Sequence, residues 1–258
     1  MLAGSTDLRV DTVGRTACSE AERDYILGAV QGLFPAIPVL ADQIVYSYAG
    51  IRPLPVSAAD FTGRIPRGHA VRRVEGAVPQ IGMVGGKWTT YRAFAEVTVD
   101  MVLSDLGLPR KVSTRDLPVG GGAGYSDDLA AGLARDRLLS PARAAHLADL
   151  YGARAADVAD FCAGQEDHPL PGSEMTEAEV LWAVRKELAL HLPDVLQRRS
   201  PLAIRGLLTQ PLVTQTARVM AGELGWSEAQ TKDEIARFLS ELETYHGVRL
   251  TPTEGATA

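Results

Sequence analysis

The paired glycines of Gly85-Gly-Lys-Trp-Thr-Thr-Tyr-Arg92 constrain this chain more than any other feature of it. They lie between a short apolar run, 80–84, and a segment in which Phe94, Val97 and Met101 recur at helical spacing. A strand is therefore expected to pass through two glycines directly into a helix. The amides of the first helical turn then have no intrachain acceptor, and together with the helix dipole they stabilise negative charge. Glycine leaves no Cβ to hold a ligand off the backbone. Lys87 stands at the start of the expected helix, where a cation opposes the dipole, and this points to a ligand.

Two familiar phosphate-binding patterns do not describe these glycines. In a P-loop the residue five before Gly86 would be glycine, but it is Ile81, and Trp88 occupies the place of the magnesium-binding Ser or Thr. The run Gly120-Gly-Gly-Ala-Gly124 misses the dinucleotide fingerprint because its third glycine would fall on Tyr125. A fixed cation lies upstream in Tyr48-Ala-Gly-Ile-Arg-Pro-Leu54, where an Ile-, Val- and Tyr-rich strand, 43–51, is expected to stop at Arg52-Pro53. A second is Arg67 in Pro66-Arg-Gly-His69. Each guanidinium offers a planar, permanently charged fork, and each charged hydrogen bond to a phosphate oxygen contributes about 1.5–3 kcal/mol. Neither arginine has a free lone pair, so neither serves as the general base, which is unassigned.

The remaining chain reads as follows. Residues 2–10 resemble a strand already under way, and the Ser19-Glu-Ala-Glu22 capping box predicts a helix over 20–33, stopped by Pro35. Strands are expected at 69–74 and 80–84 around Gly76, and a helix over 89–106 ends at Gly107 and Pro109. Residues 110–124 form a glycine-rich connector. Beyond it the pattern is helical, with capping boxes at Thr176-Glu-Ala-Glu179 and Ser227-Glu-Ala-Gln230. Leu181, Val184 and Leu188 are expected in the core, as is the stripe Ile235, Phe238, Leu239 and Leu242. Pro193 makes His191 and Asp194 a helix boundary rather than a catalytic pair, and Glu187 is in reach of Arg198 or Arg199.

A net charge of −6 and a pI of about 5.4 argue against a nucleic-acid partner. Cys18 and Cys162 stand apart with no metal-ligand spacing around them, so no metal site is expected and a reducing cytoplasm fits. The most apolar segment, 26–41, is broken by Gln31, Pro35 and Pro38, which leaves peripheral membrane contact only.

These glycine and arginine segments, with Gly4-Ser-Thr-Asp7 before them and Glu179-Val-Leu-Trp-Ala-Val-Arg-Lys-Glu187 and Asp194-Val-Leu-Gln-Arg-Arg199 after them, resemble the FAD-dependent glycerol-3-phosphate dehydrogenases in their C-terminal half. The resemblance implies an α+β fold: 1–109 as the end of a flavin and substrate domain with a mixed sheet, 110–125 as connector, and 126–258 as an all-α domain. It implies FAD as cofactor, held at Gly85, Gly86, Lys87, Trp88, Thr89 and Thr90, and glycerol 3-phosphate as substrate, held at Arg52 and Arg67. It implies hydride transfer from C2 of the substrate to the flavin, giving dihydroxyacetone phosphate, with a quinone as electron acceptor at the inner face of the cytoplasmic membrane. A Rossmann segment has no counterpart here, so the chain alone is expected to be incomplete, inactive and a weak FAD binder. Oxygen as acceptor, as in glycerophosphate oxidases, stays open, as do a homo-oligomer and a non-catalytic helical interaction module.

Overall fold

The computed structural model describes residues 1–52, 54, 62–65 and 68–250. The chain divides into two compact units, one formed by 1–3, 15–50 and 119–258 and the other by 4–14 and 51–118.

The smaller unit is α+β. Strands β1 (His69–Val74) and β2 (Gln80–Gly85) form an antiparallel hairpin in which His69 faces Gly85, Val71 faces Met83 and Arg73 faces Ile81. A short 3₁₀ turn, Trp88–Thr90, leads into helix α2 (Tyr91–Asp105), which packs on the hairpin and buries Phe94. His69 stacks on Phe94 at 4.4 Å between ring centroids, and Arg73 pairs with Asp105, so α2 is fastened near both ends to one face of the hairpin. Residues 110–114 return along α2 and close on Glu96. Its carboxylate accepts from Ser113 Oγ at 2.7 Å and the Thr114 amide at 2.8 Å, and pairs with Arg110 at 2.9 Å. The Ser113 and Thr114 donors outweigh burial and lower the Glu96 carboxyl to about 2.

The larger unit is helical: α1 (Glu20–Leu33), α3 (Leu129–Asp136), α4 (Pro141–Tyr151), α5 (Ala155–Ala163), α6 (Glu177–Glu187), α7 (Gln210–Leu224) and α8 (Glu228–His246). The boxes predicted at Ser19 and Ser227 form, and at Thr176 the Glu179 carboxylate accepts from the Thr176 amide at 3.0 Å. Helix α6 is central because it contributes to two cores. Its Val180 and Val184 join Leu196, Leu212, Met220 and Phe238, while Ala178 and Trp182 join Leu133, Leu147, Val158 and Cys162. Each fully buried Leu, Val or Phe contributes about 1.5–3 kcal/mol, so a helix shared by two cores ties the unit together. At Gly121 and Gly152 the two backbones touch: a Cβ on Gly121 would lie 2.6 Å from the Tyr151 carbonyl, and the Ala153 amide donates to Gly121 O at 2.8 Å. The glycine-rich run is therefore anchored where it meets the helices.

Three expectations change. Residues 2–10 and 43–51 form no strand among the described residues. Ala41–Gln43 is a 3₁₀ turn, and beyond it the Ser47 amide donates to His246 O at 3.0 Å while Tyr46 stacks on the His246 ring. β-branched and aromatic residues favour strands only where a neighbouring strand takes up their backbone groups, and here the end of α8 takes that place. Leu188 is 78% exposed and left-handed at φ 56°, because it closes the C-terminus of α6 instead of continuing the helix face.

Candidate functional site

The glycine pair has the geometry that only glycine adopts without strain. Gly85 and Gly86 have φ of 72° and 105°. A Cβ on Gly85 would approach Gly68 O to 2.8 Å, and one on Gly86 would meet the Phe94 ring at 3.2 Å. The pair therefore lets β2 turn away from β1 and lets α2 start directly over His69. This close packing is a second reason for glycine, beside the bare backbone that the sequence argument required.

The turn that follows is compact. The Lys87 amide donates to Thr90 Oγ1 at 3.2 Å, the Thr90 hydroxyl donates back to Lys87 O at 3.1 Å, and the Thr90 amide donates to Lys87 O at 2.9 Å. Thr90 is thus both a cap and a brace, and its side chain satisfies one of the amides expected to be available. Among the described residues no carboxylate pairs with the Lys87 ammonium. Trp88 projects almost fully into solvent and stacks on Tyr91 at 5.5 Å. The result is a flat aromatic surface and a cation beside two glycines, suited to a planar anionic group.

Arg52 belongs to the same compact unit as the glycine pair. Its guanidinium is about half exposed and stands 3.8 Å from an Asp7 carboxylate oxygen, an ion contact beyond hydrogen-bond length, so the fork keeps donors for another anion. Asp7 ends the Gly4-Ser-Thr-Asp7 motif, and its carbonyl accepts from Thr62 Oγ1 at 3.0 Å. Arg67 lies outside the described residues. Two neighbours of the site were given no role from sequence. Asp7 lies in ion contact with Arg52, and His69 stacks on the Phe94 ring against which Gly86 packs. The signal for His69 was its position at the head of β1, two residues beyond Arg67.

The helical unit holds a buried polar centre. Glu179 is fully buried, and its carboxylate accepts from Arg143, from the Thr176 amide at 3.0 Å and from Tyr151 OH at 3.3 Å, and it meets His146 Nε2 at 2.8 Å. Burial raises its carboxyl, but the His146 bond and the Arg143 charge outweigh burial and hold it below the usual carboxylate range. Burial also raises the Tyr151 hydroxyl, and burial with Asp167 nearby pushes the Cys162 thiol up to about 12, so both stay neutral. Their fixed protonation and packing make this a structural centre. The remaining pairs expected in the tail behave likewise: Arg199 meets Glu187 at 3.0 Å, and Asp194 caps its own turn through the Leu190 and His191 amides.

Residues 112–231 match the family described as the C-terminal domain of alpha-glycerophosphate oxidase. Over 92–94% of its length the chain is similar to glycerol-3-phosphate dehydrogenases, matching their C-terminal part. It is 34% identical over 92% of its length to glycerol-3-phosphate dehydrogenase 2 of Mycobacterium tuberculosis, and 31% identical over 94% to a probable mitochondrial glycerol-3-phosphate dehydrogenase of Dictyostelium discoideum. It spans 41% and 40% of those relatives. The crystal structure of the glycerol-3-phosphate dehydrogenase from Bacillus halodurans complexed with FAD has the same fold, with a TM-score of 0.68 and 23% identity over 93% of this chain and 48% of that one. Among the described residues no helix is long and apolar enough to cross a membrane.

Proposed function

We propose that this chain is the C-terminal portion of an FAD-dependent sn-glycerol-3-phosphate dehydrogenase, with 1–109, of which 15–50 group with the helices, completing the flavin and substrate domain, 110–125 connecting and 126–258 forming the helical domain. The observation that carries the reading is the left-handed glycine pair opening into the exposed Lys87-Trp88 turn, in a chain whose relatives bear that name. The residues present fit a flavin: two glycines without side chains, an aromatic plane and a cation not paired with a carboxylate among the described residues offer contact to the pyrimidine end of an isoalloxazine. When bound, the flavin supplies the acceptor for the hydride leaving C2 of glycerol 3-phosphate.

This chain's own residues bind and orient. Arg52, steadied by Asp7, and Arg67 hold the phosphate, so that binding energy from a non-reacting group positions the carbon. Lys87 and the backbone of 85–90 favour negative charge at the ring. Electrons then pass to a quinone, with the complete protein in peripheral contact with the inner membrane face.

The test is a complete enzyme, made by joining the upstream part of the Mycobacterium tuberculosis relative to this chain. Dye reduction driven by glycerol 3-phosphate is expected. Arg52→Ala should raise KM at least tenfold, the loss of about 1.5–3 kcal/mol of charged hydrogen bonding. A joined enzyme whose activity is indifferent to both Arg52→Ala and Lys87→Ala would sink the reading. Peroxide yield separates an oxygen-using oxidase from a quinone-linked dehydrogenase.

A further inference from the structure

The glycine string ends in Arg92, the second residue of α2, where local physics does not favour a cation. The guanidinium opposes the helix dipole in the first turn, and its pair with Glu96 runs in the weaker order, with the base N-terminal to the acid. The first turn of α2 has no acidic side chain, and Thr90 makes no side-chain capping bond to it. The start of α2 is fixed by another device. Arg92 Nη1 donates to Glu96 Oε2 at 3.1 Å and to Thr114 Oγ1 at 3.1 Å, 22 residues further along the chain. Glu96 is tied to the same stretch through its bonds to Ser113, the Thr114 amide and Arg110, and Arg110 reaches Asp100 at 2.6 Å. Arg92, Glu96 and Asp100 are four apart and form one polar stripe along α2, against which 110–114 is laid. That stripe begins two residues after Thr90, the brace of the turn around Lys87.

We infer that Arg92 is a positioning residue for the 87–90 turn. By bonding to Thr114 and Glu96 it fastens the first turn of α2 to a segment that is itself held, so that the backbone of the turn, Lys87 and the Trp88–Tyr91 plane keep one orientation before a ligand arrives. Donors ordered in advance bind more tightly than donors that must be ordered on contact. Arg92 differs in this from Arg52 and Lys87, because its Nη1 is taken up by two acceptors of the protein itself. For its consequence the inference rests on the flavin reading of 85–90, but the clasp does not depend on that reading.

The test has two readouts. In the 258-residue chain, nuclear magnetic resonance follows exchange of the Lys87 and Thr90 amides, both hydrogen-bonded within the turn. Arg92→Met keeps an apolar stem without the donors, and Thr114→Val keeps the shape without the hydroxyl. Each should speed that exchange about tenfold, and the two together little more than Arg92→Met alone, because both remove the same link. Thr114→Ser retains the hydroxyl and should match the unchanged chain. Arg115→Met is the control for lost charge, since Arg115 makes no ion pair among the described residues, and it should alter nothing. In the same chain joined to the upstream part of the Mycobacterium tuberculosis relative, Arg92→Met should raise the FAD dissociation constant about tenfold by flavin fluorescence and leave KM for glycerol 3-phosphate at saturating FAD nearly unchanged. Unchanged exchange at Lys87 and Thr90 in Arg92→Met overturns the inference, as do additive effects of the two variants. A raised KM in place of weaker FAD binding makes Arg92 a ligand residue and overturns it as well. If Lys87→Ala weakens FAD binding and Arg92→Met does not, the inference falls and the flavin reading stands. If exchange quickens while neither substitution affects FAD, Arg92 positions the turn and the flavin reading falls.

Discussion

Replacing Glu179 by Ala should be among the most destabilising single changes in the helical unit. The substitution strands the Arg143 guanidinium, which is mostly buried between α4 and α6, and leaves the Thr176 amide without its acceptor. Two charge-assisted bonds at about 1.5–3 kcal/mol each set an upper figure. Asp167, 3.9 Å from Arg143, takes back part of the lost attraction, and breaking one side of a buried pair typically costs about 3–5 kcal/mol. A loss of about 3–4 kcal/mol is expected, which lowers Tm by about 10 °C in a unit of this size. Thermal unfolding followed by circular dichroism measures it, with Arg143→Met plus Glu179→Leu as the control. Removing both charges together should cost far less than removing one, because no buried ion is left alone. The sign with pH follows from the carboxyl, whose folded pKa lies below its unfolded value near 4.5. Its stabilisation is complete above that value and is lost as pH falls through the folded one. The gap between wild type and Glu179→Ala should therefore narrow on acidification below about 4.5. A gap under about 1 kcal/mol at neutral pH, or a double variant worse than the single, would refute the reasoning.

Two further outcomes can be checked. Gly85→Ala should destabilise the hairpin and α2 by about 1–3 kcal/mol, because a Cβ 2.8 Å from Gly68 O adds a clash to a left-handed residue; faster exchange in β1 and β2, with α6 unaffected, reports it. Glu96, lowered to about 2, should hold residues 113–114 on α2 fully above about 4.5 and release them as pH falls toward 2, and Glu96→Gln should flatten that dependence in exchange measurements of the 110–118 segment.

Local signals in the sequence identified what local physics decides. The Ser19 and Ser227 boxes begin helices because each pairs a hydroxyl and a carboxylate or amide with orphan amides within one turn, with no help from distant residues. The glycine pair was legible for the same reason, since left-handed backbone leaves its mark on the residue that adopts it. Strand propensity at 43–51 misled because a strand exists only with a partner, and which neighbour takes up those backbone groups is a long-range fact. Leu188 misled because helical spacing says nothing of where a helix stops without glycine or proline to mark the end.

The sequence by itself determined the helix starts and the hinge between β2 and α2. Only the tertiary structure decided that residues 15–50 group with the helices beyond 118 and that the carboxylate of a capping glutamate is shared with α4. The physical reason is range. Caps, turns and left-handed residues are settled within a few residues of chain, whereas burial and strand pairing depend on which distant segment arrives to fill the space.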